Sequence, residues 1–368
     1  MAWYTLRNTD EIDSPALLLY PERVKENIAL LKSSIDNVTR LRPHVKTVKM
    51  PEVVRLMQEA GINKFKCATI AEAEMLGIVQ AADVLLAYQP VGPKIARLAA
   101  LVEQYPQTKY ACLVDDITAA TAISDHFAAK QQRLPVWLDL NLGQNRTGIT
   151  PGAEALELYA QLSTLPGITL VGLHAYDGHL HDADLTLRTK RCNDAYAGVT
   201  KLAKSIAIKG LPVPLIVAGG SPTFPIHAQR PEIECSPGTF AFWDWGYAQG
   251  LPEQHYQPAV LVMARVISHP APHLVCLDLG HKSVAAENQL PKRVHFINAA
   301  EAVPVSQSEE HLVIKVLDNA AYPIGTVLYG IPYHICPTVA LYDSAHIISE
   351  QNLEGVWKIT ARNRSILI

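Results

Sequence analysis

The chain has 368 residues, 49% hydrophobic and 18% charged, with 25 Pro and 20 Gly, which excludes a disordered or low-complexity protein and allows two domains or one large barrel with an attachment. Lys plus Arg number 32 against 35 Asp plus Glu, a formal net charge of −3 with no long block of like charge, so nucleic acid is not an expected partner. No apolar run approaches the roughly 18 to 20 residues of a membrane span, the N-terminal residues show no secretory pattern, and six cysteines without a Cys-x-x-Cys pair read as reduced thiols of a cytoplasmic protein.

Between residues 21 and 240, helical periodicity alternates with short, nearly continuous apolar runs, the pattern of parallel strands covered on both faces. The predicted strands are 40–45, 65–68, 83–88, 110–114, 135–142, 169–175, 214–218 and 232–235. Helices are predicted between them. Pro51 opens one that stops at Gly61, Thr69 and Glu72 form a capping box ahead of the next, and 116–130, 152–163 and 183–208 carry helical periodicity with polar faces. The alternation predicts an α/β fold, a (β/α)8 TIM-type barrel at 21–250, in preference to an open doubly wound sheet. After Gly250, the segments 259–267, 273–278, 311–316 and 355–360 read as strands without a clear helix, so a smaller C-terminal β domain is expected at 251–368. Residues 16–20 read as one more strand, and 1–20 are expected to join that domain.

Barrels of this kind carry their chemistry at the C-terminal ends of the strands. Lys46 stands there after the first strand, where poor solvation disfavours its charge and leaves a usable amine; a surface lysine with a packed stem is the competing reading. After the seventh and eighth strands come Gly219-Gly220-Ser221 and Ser236-Pro237-Gly238-Thr239, at the two loops where barrels commonly bind phosphate. A strand-end lysine facing a phosphate cradle is the arrangement that holds pyridoxal phosphate. Arg146 follows the fifth strand, and His174, Tyr176, His179 and His181 crowd the end of the sixth, a density that favours acid–base work. In the β domain, His334 and Cys336 stand two apart; on a strand they would share a face and could hold one ion, with open positions suited to a catalytic metal. The other five cysteines read as core residues.

Taken in order, Asp13-Ser-Pro-Ala-Leu-Leu-Leu-Tyr20, Leu41-Arg-Pro-His-Val-Lys-Thr47, Gly143-Gln-Asn-Arg-Thr-Gly148, Gly219-Gly-Ser-Pro-Thr223, Pro237-Gly-Thr-Phe240 and His334-Ile-Cys-Pro-Thr338 resemble the fold-type III pyridoxal phosphate enzymes, specifically the D-threonine aldolase and D-serine dehydratase group related to alanine racemase. The resemblance covers nearly the whole chain. It implies Lys46 as the Schiff-base lysine, Arg146 near the phenolate oxygen and Tyr176 near the pyridine nitrogen, with His174 beside the cofactor. It also implies Gly219, Gly220, Ser221, Gly238 and Thr239 around the phosphate, His334 and Cys336 on a divalent metal (Zn or Mn), and a homodimer. Two departures stand out. Val48 occupies a position where the family usually has histidine, and His181 is one residue closer to Tyr176 than the family's base histidine, with His179 also available.

The resemblance implies a lyase that cleaves D-3-hydroxy amino acids to glycine and an aldehyde, with Lys46 and either His181 or His179 as catalytic groups. A dehydratase would use the same residues, a racemase would need a second base and no metal, and a non-catalytic cofactor carrier would have no use for the β domain or the His334–Cys336 pair.

Overall fold

The computed structural model describes residues 2–368. In chain order its strands and helices are β1 (Ala16–Leu19), α1 (Pro21–Ser33), α2 (Pro51–Glu59), β2 (Lys64–Cys67), α3 (Ile70–Ile78), β3 (Asp83–Leu86), α4 (Pro93–Gln104), β4 (Lys109–Val114), α5 (Ile117–Ala129), β5 (Leu134–Asp139), α6 (Ala153–Thr164), β6 (Ile168–Ala175), α7 (Leu185–Ile208), β7 (Leu215–Ala218), α8 (Phe224–His227), β8 (Ile233–Cys235) and α9 (Trp245–Gly250). They continue with β9 (Val260–Ala271), β10 (Leu274–Leu277), β11 (Val294–Phe296), β12 (Val303–Gln307), β13 (Leu312–Lys315), β14 (Val327–Pro332), α10 (Ile335–Ala340), β15 (Ser344–Ser349) and β16 (Asn352–Lys358). No helix among the described residues is long and apolar enough to cross a membrane.

The chain forms two interleaved compact units. One holds residues 31–46, 53–238 and 363–368; the other holds 1–30, 47–52 and 239–362. The first contains the barrel, a seven-stranded parallel sheet in the order β2-β3-β4-β5-β6-β7-β8. Its eighth position is filled without a strand. Leu41 bridges in parallel to Cys235 of β8, and His44 bridges to Lys66 of β2, so residues 41–44 span the seam between the two edge strands. The strand predicted at 40–45 is thereby corrected. Arg40 ends a 3-10 turn, and Pro43 has no N–H to give to a ladder, so this segment makes single bridges where its neighbours make runs.

Successive residues of a strand point to opposite faces, and that alternation sorts the barrel's contents. Leu85, Leu113, Trp137 and Val217 pack into one cluster. On the strands that carry them, Asp83 and Asp139 lie two residues away and share their faces. One polar tie lies at the seam. Arg42, 2% exposed, donates from Nη1 to Asp83 Oδ1 at 2.5 Å and from Nε to Glu234 Oε2 at 2.7 Å, and Lys64 pairs with the other oxygen of Glu234. Burial alone would lower the Arg42 pKa; the bonds and charges of Asp83 and Glu234 outweigh it and hold the guanidinium above its ordinary value.

Helix α3 starts as its capping box predicts. The Thr69 hydroxyl accepts the Glu72 N–H at 3.1 Å, while the Glu72 carboxylate reaches back to the N–H of Ala68 at 2.6 Å.

The second unit is built on a mostly antiparallel sheet in the order β12-β13-β10-β9-β1-β15-β16, with β14 pairing to both β9 and β11. β1 lies between β9, antiparallel, and β15, parallel. Short α10 was not expected in this β-rich stretch.

Replacing Arg42 with methionine would leave Asp83 without its buried partner and release the seam. The Arg42→Met chain should lose about 3–5 kcal/mol of stability, measured by urea denaturation.

Candidate active site

Lys46, two residues past the seam segment, lines a cleft of about 210 Å³ with His44, Lys66, Ala68, Ala87, Tyr88, Arg146, Thr147, His174 and Tyr176. Four of the residues expected in the site, Lys46, Arg146, His174 and Tyr176, are therefore together. They come from different places: the seam, the loop after β5, and the end of β6. The Lys46 N–H donates to His44 Nδ1 at 3.2 Å, and the Arg146 guanidinium carbon lies 5.3 Å from the centre of the Tyr176 ring.

The cleft also holds a group that sequence reasoning missed. Lys66 is 2% exposed, its Nζ 3.4 Å from His174 Nε2 and 5.3 Å from the centre of the Tyr176 ring. His174 Nδ1 is in turn 2.7 Å from Asp139 Oδ1. Burial and then the neighbouring Lys46 charge push the Lys66 amine down to about 7, against the pull of Asp139 and Asp177. Burial and the Lys66 charge also lower the His174 pKa, despite Asp139. Burial would raise the Asp139 pKa, but the hydrogen bond from His174 leads the opposing effects, and its carboxyl ends below the usual range. His174 is thus neutral, donating from Nδ1 to Asp139 and offering Nε2 as an acceptor. A lysine inside a run predicted as a strand looks like any strand residue; its partner lies 108 positions away.

The glycine loop after β7 is shaped by its backbone. Gly219 has φ +75, a region that disfavours side chains, and a Cβ on Gly220 would stand 3.0 Å from Tyr176 Cε2. The Ser221 hydroxyl accepts the Gly238 N–H at 3.1 Å and so ties the two predicted phosphate loops together. Beneath them, Thr223 accepts the Gly220 N–H and donates to Asp177 Oδ1 at 2.7 Å, and His227 Nε2 lies 2.9 Å from Asp177 Oδ2. Asp177, Cys192 and His227 bring possible ligand atoms within 4.8 Å of one another, but those atoms are already engaged. Arg230 donates to His227 Nδ1 at 2.6 Å, and burial pushes the Cys192 thiol up to about 12. The cluster braces the glycine loop rather than presenting an ion site.

His179 and His181 lie outside the cleft lining. His181 is exposed. His179 is half-buried, its Nδ1 is shielded and has no hydrogen-bond partner among the described residues, and burial lowers its pKa.

In the other unit, His334 and Cys336 do not stand on a strand: His334 is the N-cap of α10, and Cys336 lies in its first turn. The two side chains nevertheless meet in a hydrogen bond. His334 Nδ1 is 2.5 Å from Glu287 Oε1, and Cys336 Sγ is 3.0 Å from the Thr47 hydroxyl and 3.9 Å from that of Thr239. Burial would lower the His334 pKa; the bond and charge of Cys336, with Glu287 and Asp244, hold it up to about 9. A carboxylate on one imidazole nitrogen, a thiol bonded to the same side chain and partial exposure make a donor set that suits a divalent ion. The remaining five cysteines are buried, as expected. Val48 is fully buried, so the position where the family usually has histidine is given to packing.

A family model described as "Alanine racemase, N-terminal domain" matches residues 20–243. The chain belongs to this family. A second model, "Putative serine dehydratase domain", matches residues 259–348. Together they place the chain among the fold-type III pyridoxal phosphate enzymes related to alanine racemase. D-threonine aldolase from Arthrobacter sp. is 28% identical over 360 residues, covering 96% of this chain and 94% of that one. D-threo-3-hydroxyaspartate dehydratase from Delftia sp. is 24% identical over 373 residues, covering 94% and 97%. The crystal structure of D-threonine aldolase from Filomicrobium marinum is similar with a TM-score of 0.87 at 25% identity, covering 96% of each chain.

The buried amine has a thermodynamic consequence. Between about 7 and the unfolded value of 10.5, the unfolded chain binds more protons at Lys66 than the folded one, so this group's contribution to stability rises with pH across that window and is lost as pH falls towards 7. Lys66→Met should therefore be more stable than the parent at pH about 6, by on the order of a few kcal/mol, with the margin shrinking towards pH about 10. Urea unfolding of both proteins across that range measures it.

Proposed function

We propose that the chain is a pyridoxal phosphate- and divalent metal-dependent lyase that cleaves D-3-hydroxy amino acids, such as D-threonine, between Cα and Cβ, releasing glycine and an aldehyde. The observation that carries the reading is the cleft in which Lys46, Arg146, His174 and Tyr176 converge. Its full-length relatives include an aldolase and a dehydratase of 3-hydroxy amino acids.

The residues fit the cofactor. Lys46 would hold its aldehyde carbon, and Arg146, His174 and Tyr176 would surround its ring. Gly219, Gly220, Ser221, Gly238 and Thr239 would surround its phosphate, in a loop where a Cβ at Gly220 would press on Tyr176. When bound, pyridoxal phosphate supplies an electron sink for the charge left on a substrate carbon. His334 and Cys336 would hold the ion, which supplies Lewis acidity towards a substrate oxygen.

The protein's own groups then do the rest. Glu287 orients His334 through Nδ1 and leaves Nε2 for a ligand. The Thr47 hydroxyl contacts the Cys336 sulfur at 3.0 Å. His179, whose pKa burial lowers, or the more exposed His181 is the group assigned to take the proton of the substrate's β-hydroxyl. The dehydratase reading uses the same side chains and differs in which substrate bond their positioning would expose to cleavage.

Incubation of the purified protein with pyridoxal phosphate, a divalent metal and D-threonine should release acetaldehyde, and chelator should abolish it. Release of 2-oxobutyrate in its place would move the assignment to a dehydratase. Lys46→Ala should eliminate turnover, and His334→Ala or Cys336→Ala should lower kcat/KM at least about 100-fold; wild-type rates in both metal-site variants would exclude the proposed role of that pair.

A further inference from the structure

The cleft contains two lysines, and the function proposed above uses one. Lys66 enters it from β2 with its Nζ directed to His174 Nε2, and Asp139 holds the other nitrogen of that ring. Among the described residues no carboxylate pairs with the Lys66 ammonium directly, so nothing close by locks it in the charged form. Its surroundings are mixed in sign: Lys46 and Arg42 on one side of the balance, and Asp139 and Asp177 on the other, with the ring of Tyr176 packed against it. Two ammonium groups serving one cleft repel, and burial makes the inner charge costly.

We propose that Lys66 is the proton-holding group for the reaction at Lys46. It takes up the proton that the Lys46 ammonium must release before its nitrogen can bond to a carbonyl carbon, and returns that proton when the bond breaks. One proton moves from Lys46 Nζ to Lys66 Nζ through the water of the cleft, the total charge of the pair stays at +1, and no further reactant is consumed. His174 Nε2 accepts a hydrogen bond from the new ammonium, and the Asp139 carboxylate balances its charge. An amine that titrates at about 7 is suited to this exchange near neutrality, since it can accept and return the proton with little bias either way. A buried lysine serving packing alone would gain nothing from the His174–Asp139 pair.

The inference rests on the reading of Lys46 as the cofactor-binding amine, and the test separates the two. The rate at which the full chain gains the visible absorption of bound pyridoxal phosphate would be followed against pH for the wild type, Lys46→Ala, Lys66→Met and Lys66→Arg. The wild-type rate should show an inflection near 7. Lys66→Met, which cannot hold a proton, and Lys66→Arg, which cannot release one, should both lose that inflection and capture the cofactor at least about tenfold more slowly at neutral pH. Lys46→Ala should gain no absorption. A wild type that gains none overturns the reading of Lys46 and the inference with it, whereas Lys66 variants that keep the wild-type rate and profile overturn the inference alone. If the Lys66 variants do not fold, NMR of the cofactor-free wild type with isotope-labelled lysine decides. A side-chain amine titrating near 7 supports the inference, and lysines that all titrate near the ordinary 10.5 overturn it.

Discussion

The barrel depends on how its seam is held. Seven strands ladder in parallel, but the eighth position is filled by residues 41–44, a segment interrupted by Pro43 that makes isolated bridges to β8 and β2. Backbone pairing there is sparse, and Arg42 adds the missing cohesion from inside by joining Glu234 of β8 and Asp83 of β3. An arginine in this setting has no neutral form to retreat to, so its burial is tolerable only with both carboxylates in place. The consequence for chemistry is positional. Lys46 lies two residues beyond the last bridge, and its place at the mouth of the cleft follows from a seam fastened a few residues before it.

The cleft repeats the same theme at the other end of the strands. Apolar side chains such as Leu85, Leu113 and Trp137 fill the space between, and above them the inward positions turn polar: Lys66, Asp139 and His174. Each is costly to bury alone. Linked in series, they become a hydrogen-bonded set in which the carboxylate stays charged, the imidazole stays neutral and the amine sits close to balance. The parallel ladder brings this about, because β5 and β6 are neighbours with Asp139 registered against His174, and the seam brings β2 round to meet them.

The metal-binding candidates show how local structure can change without changing chemistry. Two residues two apart would share a face if they stood on a strand; they instead cap and open a short helix. The side chains still meet, because an N-cap residue with extended backbone can turn its side chain towards the first turn that follows. Glu287 and Asp244 come to the same place from distant parts of the chain, and neither was legible from the motif. The Asp177–Cys192–His227 cluster shows the converse. Its residue types suit a metal, yet its polar atoms are already bonded to one another, to Arg230 and to Thr223, and the group serves to brace the glycine loop.

By itself the sequence determined the α/β architecture, the place of the seven barrel strands, the capped start of α3, and the set of motifs that mark Lys46, Arg146, Tyr176, the glycine loop and the His334–Cys336 pair. These are properties of periodicity, capping and short spacing, which act over a few residues and are therefore written locally. Only the tertiary structure decided that 40–45 would bridge rather than ladder, that Lys66 would stand behind Lys46 with His174 and Asp139, that His181 would face solvent while His179 lies half-buried, and that Val48 would be spent on packing. Each of those depends on which distant groups share a desolvated space. Burial and Coulomb energy are set by such neighbours, and no short window of the chain contains them.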